Sequence, residues 1–289
     1  MEAIAKAIGV EGMPEGVGEF NMEVIALGLP RCATTSILQA FESPHLNLAP
    51  VLHGRRIVPS MDLLQLTVDI MKETDTARRH KMTRQLCSGC RCALDWPICL
   101  LAGDLMDLYP NAKFLLNHRP GPTTSRAKAW AKSFQQAIGF YGTNTYFWLG
   151  RLLKSMRVHY QMCAGSYDAL ARPDLKLVEP GAGFGLDWGN SEFYDRYYDW
   201  IRSEAKRREI TILEWEPSMG WLPLCDFLGK QPPETGTPFP FANDSKEMKF
   251  AERVVKGVGA ASWVFLGMGV YSLFRFGPPV AQWIYTMCT

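Results

Sequence analysis

Residues 22–41 constrain the fold more than any other stretch. Met22-Glu23-Val24-Ile25-Ala26-Leu27-Gly28 is a short, mostly apolar run ended by glycine, and it reads as a buried strand. Ser36-Ile37-Leu38-Gln39-Ala40-Phe41 follows with helical spacing. A strand, a tight turn and a helix in that order open a parallel α/β unit, because such a strand is buried on both faces and needs partners beside it. Lys113-Phe114-Leu115-Leu116-Asn117 and Ile210-Thr211-Ile212-Leu213-Glu214-Trp215 repeat the strand pattern. Helical spacing recurs over 61–71, 99–109, 126–141 and 221–228, with Gly229 as the C-cap of the last. The charged run 72–84 reads as a solvated helix face or loop, and 231–240 as a Pro-rich loop. The reading is an α/β chain with an open central parallel sheet covered on both faces.

With 289 residues and 47% hydrophobic content, the chain has ample material for a core, which excludes a disordered class. Its 31 basic and 29 acidic side chains leave a net charge of +2, too little excess for a general nucleic-acid binder. The start, 1–21, reads as a leader without the long apolar run of a signal peptide. Reduced cysteines facing the cytosol are therefore expected. Cys87, Cys90, Cys92 and Cys99 have thiolate spacings that zinc could use, but no second CxxC pair exists, so no metal is expected.

The turn itself is Gly28-Leu-Pro-Arg31-Cys-Ala33-Thr34-Thr35. Between a strand and a helix, its backbone N–H groups and the helix dipole suit an anion. The spacing is that of a Walker A loop, but Ala33 replaces the second glycine and Thr34 the lysine, which disfavours ordinary nucleotide hydrolysis.

Gly28-Leu-Pro-Arg-Cys-Ala-Thr-Thr-Ser36 resembles the GLPRTGTTSL loop of a P-loop sulfotransferase family. Asp95-Trp96-Pro97 resembles its DWP motif, and Tyr109 to Leu116 its YPDAKVIL. Gly220 to Gly229 resembles GWEPLCKFLG, and Pro238 to Asp244 its FPxxND. The resemblance implies a P-loop-containing three-layer αβα fold over 22–250, with a C-terminal apolar helical tail over 251–289. It also implies transfer of a sulfuryl group from 3′-phosphoadenosine 5′-phosphosulfate (PAPS) to a hydroxyl of a small apolar or aromatic acceptor. Pro30, Arg31, Cys32, Ala33, Thr34, Thr35 and Ser36 would hold the 5′-phosphosulfate. Arg119 and Ser133 would hold the 3′-phosphate, with Trp130 between them. Here Pro120-Gly121-Pro122 follows Arg119 where the family has aspartate, and the stretch before Trp130 is longer than the family's, so Ser125 competes with Ser133. Lys256-Gly257 faintly echoes a 3′-phosphate motif but reads better as a linker.

Sulfuryl transfer needs a base near the acceptor and positive charge near the leaving group. Of His45, His53, His80, His118 and His159, His53 resembles the family's histidine after the loop helix, and His118 is the runner-up. Arg31 would stabilise the leaving group. Asp95 would orient His53 or an acceptor hydroxyl, or cap the helix after Pro97. Phe140, Tyr141, Tyr146, Phe147, Trp148, Tyr160 and Met162 either line an acceptor pocket or pack a helical cap. Two other readings stay open. The fold could be reused for a cyclisation or elimination on a hydrophobic secondary metabolite, or the chain could be a non-enzymatic membrane-associated binding protein.

From Gly257 to Thr289 the only charge is Arg275, and Lys246, Lys249, Arg253 and Lys256 precede it. The expectation is membrane contact through 258–289 with the domain on the cytoplasmic face. The alternative is a cytoplasmic protein whose tail packs on the domain or forms a homodimer.

Overall fold

The computed structural model describes residues 12–13, 20–173, 175–179, 189–242 and 245–288, and most of the leader and the Asn243-Asp244 pair of the FPxxND block lie outside them. Five strands alternate with helices. In chain order these are β1 (Val24–Ala26), α1 (Thr34–Glu42), β2 (Val51–His53), α2 (Gly54–Ile57), α3 (Met61–Lys72), α4 (Thr76–Cys87) and β3 (Cys92–Leu94). Then come α5 (Ala102–Leu108), β4 (Lys113–Asn117), α6 (Thr123–Ile138), α7 (Asn144–Gly150), α8 (Lys154–Ala171) and α9 (Ser191–Arg207). β5 (Ile212–Trp215), α10 (Trp221–Leu228) and α11 (Ser245–Cys288) close the series.

The strands form one parallel sheet in the order β2-β3-β1-β4-β5. Side chains alternate across the pleat, and the alternation assigns each residue to a layer. Val24, Ala26, Val51, Cys92, Leu94, Leu115 and Trp215 face α1 and α10. Ile25, Leu27, Leu52, Ala93, Phe114 and Leu116 face the helices α3, α5, α8 and α9. The result is the expected three-layer αβα sandwich. The three interior strands, β3, β1 and β4, are mostly apolar because neither of their faces meets water.

β2 and β3 escape the sequence reading because each is three residues long and carries no alternation to detect. The charged run 72–84 is largely helix: Thr76–Cys87 forms α4, capped by the Asp75 carboxylate accepting from Arg78 N–H at 2.8 Å. α10 ends as predicted, with Gly229 in the left-handed region at φ 68°.

The four cysteines of the central cluster are buried within the two apolar layers. Burial pushes the Cys90 thiol up to about 11 and those of Cys87 and Cys92 higher still, so they are protonated packing groups. Among the described residues, no group of three or more His, Cys, Asp or Glu side chains could hold a metal ion.

Most aromatic residues of the middle region build the interior of a helical cap. Tyr146 is fully buried, touches Tyr141 edge-on at 5.2 Å and shares a 2.8 Å hydrogen bond with His159. Burial holds His159 down at about 4, so it is neutral at pH 7. Trp148 alone of the seven stands well out to solvent.

Candidate functional site

All five strands point the same way, so their C-terminal ends share one edge, and crevices at that edge are where open α/β sheets bind ligands. Along it stand His53 (β2), Asp95 (after β3), the loop Gly28–Thr35 (after β1), Asn117-His118-Arg119 (β4) and Glu216 (after β5).

The loop is held in shape from three sides. Gly28 N–H donates to Asn117 Oδ1 at 2.9 Å, and Asn117 Nδ2 donates to Cys32 O at 2.7 Å. Trp130 Nε1 donates to Pro30 O at 2.8 Å. Gly28 is obligatory at its position, because a Cβ there would fall inside the backbone oxygen and side chain of Asn117. The loop then passes through left-handed backbone at Arg31 (φ 71°) and Ala33 (φ 61°). Asp95 (φ 71°) adds a third such residue at the site, out of six described non-glycine positions with positive φ. Strain of this kind persists where surrounding structure enforces it, and it concentrates at functional sites.

Ala33 is also the residue at the N-cap of α1, and no side chain caps that helix. The helix N-terminus is thereby left to the loop and to whatever anion approaches it. Ala33 occupies a conformation that glycine adopts without cost. Ala33→Gly is therefore expected to stabilise the protein by about 0.5–1 kcal/mol. Urea denaturation measures this, and a loss of stability would refute the assigned backbone.

Sequence-selected residues gather in two groups. In the first, Arg119 Nη1 donates to Arg31 O at 2.8 Å and to Ser133 Oγ at 3.2 Å. Arg31 Nε donates to the same Oγ at 3.3 Å. Two guanidinium groups thus share one hydroxyl beside the open end of α1. Burial, with Arg31 adding to it, pulls the Arg119 guanidinium below its ordinary range. Among the described residues, no carboxylate forms an ion pair with Arg119. Ser125 is not part of the group, since its hydroxyl is exposed and donates to Pro122 O in the first turn of α6.

In the second group, His53 ends β2 with its Nδ1 3.5 Å from Asp95 Oδ2. The same nitrogen accepts from Arg55 N–H at 3.1 Å. While that bond is made, a neutral ring carries its proton on Nε2 and is a donor there. Proton abstraction through Nε2 requires the other tautomer, with Nδ1–H turned to Asp95. The structure places Asp95 beside His53, where the orienting role would need it. The helical turn that begins at Ile98 has Pro97 at its N-cap, which offers no side-chain cap of its own.

Four residues singled out from the sequence are engaged within the protein itself. Cys32 is buried against Tyr198, whose hydroxyl donates to Sγ at 3.4 Å, and burial pushes its thiol up to about 12. Its N–H donates to Leu29 O and its C=O accepts from Asn117 Nδ2, so both backbone groups of Cys32 are spent on shaping the loop. Pro30 has no N–H, and its carbonyl accepts from Trp130. His118 is engaged at both nitrogens, by Glu214 Oε2 at 2.8 Å and Tyr194 O–H at 3.4 Å, which removes it as a base. Lys256, read as a linker residue, instead lies within the helix α11, paired with Glu252 and over the Phe140 ring. Thr34, Thr35 and Ser36 stand buried in the first turn of α1, and Ser36 Oγ also accepts from Ala242 N–H at 3.0 Å.

Sequence reasoning missed Asn117 and the tyrosine face of α9. Tyr194 accepts from Arg119 N–H at 3.3 Å, and Tyr198 donates to Asn117 O at 2.6 Å. The spacing Tyr194, Tyr197, Tyr198 on one helix face was the available signal.

The family model for the sulfotransferase domain matches residues 23–248. A relative described as Ava biosynthesis cluster protein M, from Aspergillus versicolor, is 26% identical over 223 residues, which cover 75% of this chain and 80% of the relative.

Proposed function

The chain belongs to the sulfotransferase-domain family, and from that premise we propose that it moves a sulfuryl group from PAPS to a hydroxyl of a small apolar acceptor. The observation that carries the reading is the pair of guanidinium groups converging on Ser133 beside the uncapped N-terminus of α1. Two cations held together in partly desolvated surroundings gain most from a multiply charged anion. PAPS would supply the transferable group and depart as the bisphosphate.

In this reading Thr34 and Thr35 donate hydroxyl hydrogen bonds to the 5′ end, together with the backbone of the loop. Arg31 balances negative charge that grows on the leaving oxygen. Arg119 and Ser133 hold the 3′-phosphate, and the Arg119–Arg31 O bond ties the two ends of the donor site together. His53 takes the acceptor proton at Nε2 after its Nδ1–H turns to Asp95.

The relative's printed name ties that protein to a biosynthesis cluster, which supports a hydrophobic metabolite as the acceptor class. One observation favours a second reading, a non-sulfating step such as cyclisation or elimination. With Nδ1 accepting from Arg55, His53 presents a proton at Nε2 and is set up as an acid. Calorimetry with 3′-phosphoadenosine 5′-phosphate decides between them. Binding is expected, and no heat at millimolar ligand would overturn the sulfuryl-transfer reading.

A further inference from the structure

We propose that α11 leaves the domain at Trp263 and enters a phospholipid bilayer, with the helical cap resting at headgroup level. The helix is 44 residues long, so its axis extends about 66 Å, far beyond what the domain covers. Its first part is docked. Ala251 and Val255 are buried, and Gly259 is so close to α7 that an added Cβ would stand 2.8 Å from Leu149 Cβ. Trp263 Nε1 donates to Trp148 O at 2.8 Å. These contacts fix the direction in which the helix departs.

Beyond them the environment changes abruptly. Every residue from Trp263 to Arg275 is exposed, on all faces of the helix. Phe265, Leu273 and Phe274 are 72%, 72% and 81% exposed. A helix apolar on all sides is a membrane span or the core of a large protein, and this one is not in the core. A coiled-coil partner would need one apolar stripe with polar flanks, which is not the pattern here. From Trp263 to Cys288 the helix axis runs about 39 Å, against a hydrocarbon thickness of about 30 Å.

Charge fixes the orientation. Lys246, Lys249, Arg253 and Lys256 are exposed on the domain side of the apolar stretch, complementary to anionic headgroups. Trp148 and Leu152, exposed on the cap where α11 departs, continue the apolar surface at that level. Arg275 lies about 18 Å along the axis from Trp263, and in a bilayer its long side chain would carry the charge toward an interface.

The test uses the full chain with a glycosylation tag after Thr289, translated in the presence of microsomes. The tag is expected to be glycosylated, and most of the protein should resist carbonate extraction. The triple variant Phe265→Asp/Leu266→Asp/Leu273→Asp changes only exposed positions. It should lose carbonate resistance while still binding 3′-phosphoadenosine 5′-phosphate as tightly as the unaltered chain. An unglycosylated, carbonate-released protein overturns the span. So does a monodisperse monomer or dimer in detergent-free buffer, the dimer pointing to a second copy as the occupant. None of these readouts depends on sulfuryl transfer, so failure here leaves the proposed reaction standing, and the reverse also holds.

Discussion

Arg119→Ala should weaken binding of 3′-phosphoadenosine 5′-phosphate by about 10- to 100-fold, the loss expected when hydrogen bonds from a charged group worth about 1.5–3 kcal/mol are removed. Arg119 acts twice in the proposed site. Its guanidinium is one of the two cations beside Ser133, and its Nη1 holds Arg31 O in the left-handed loop. Removing it therefore costs a direct contact and loosens the other arginine. Arg31→Ala should cost less in binding, because it leaves Arg119 and the loop backbone in place, and more in turnover, because its charge serves the leaving group. Arg119→Lys separates charge from geometry. Lysine keeps the cation but cannot serve two acceptors from a planar fork, so only part of the affinity should return. Titration calorimetry at one fixed ionic strength checks all three variants. Equal, small losses for Arg31→Ala and Arg119→Ala would place the 3′-phosphate elsewhere.

Much of this architecture was legible from the sequence where local and global signals agree. β4 and α10 follow directly from an apolar run and from a Gly229 C-cap. The Arg31, Arg119 and Ser133 cluster was legible only through motif order, since the three lie up to 102 positions apart and meet through a crossover. β2 and β3 were not, because such short strands are held by pairing with strands distant in the chain, β2 with β3 alone and β3 with both β2 and β1. His53 was found as a residue but not as a tautomer. The bond from Arg55 N–H that sets its protonation arises from the sharp start of α2, a feature of backbone geometry. Cys32 misled for a similar reason. Its place in the loop suggested ligand contact, whereas the left-handed residues on either side turn its side chain into the core.

Asn117→Ala is expected to cost about 2–6 kcal/mol of stability, because it orphans two buried groups at about 1–3 kcal/mol each, Gly28 N–H and Cys32 C=O. Against a typical total of about 5–15 kcal/mol, a loss of that size shifts the denaturation midpoint well outside error. Asn117 is fully buried at the end of β4, next to the apolar run Phe114-Leu115-Leu116, and its amide can accept from one end of the loop while donating to the other. Asn117→Asp tests that logic, since a carboxylate keeps the bond from Gly28 but cannot donate to Cys32 O. It also introduces a buried negative charge beside the proposed anion site. It should therefore damage nucleotide binding more than Asn117→Ala does, even where the two fold equally well. Gly28→Ala should be at least as destabilising as Asn117→Ala, and pairing it with Asn117→Ala should not rescue it. The added Cβ strikes the backbone oxygen of Asn117 as well as its side chain, and no substitution at position 117 removes that oxygen. Urea denaturation of the two single variants and the pair distinguishes the cases. Rescue in the pair would show that the side chain alone sets the close approach between β1 and β4.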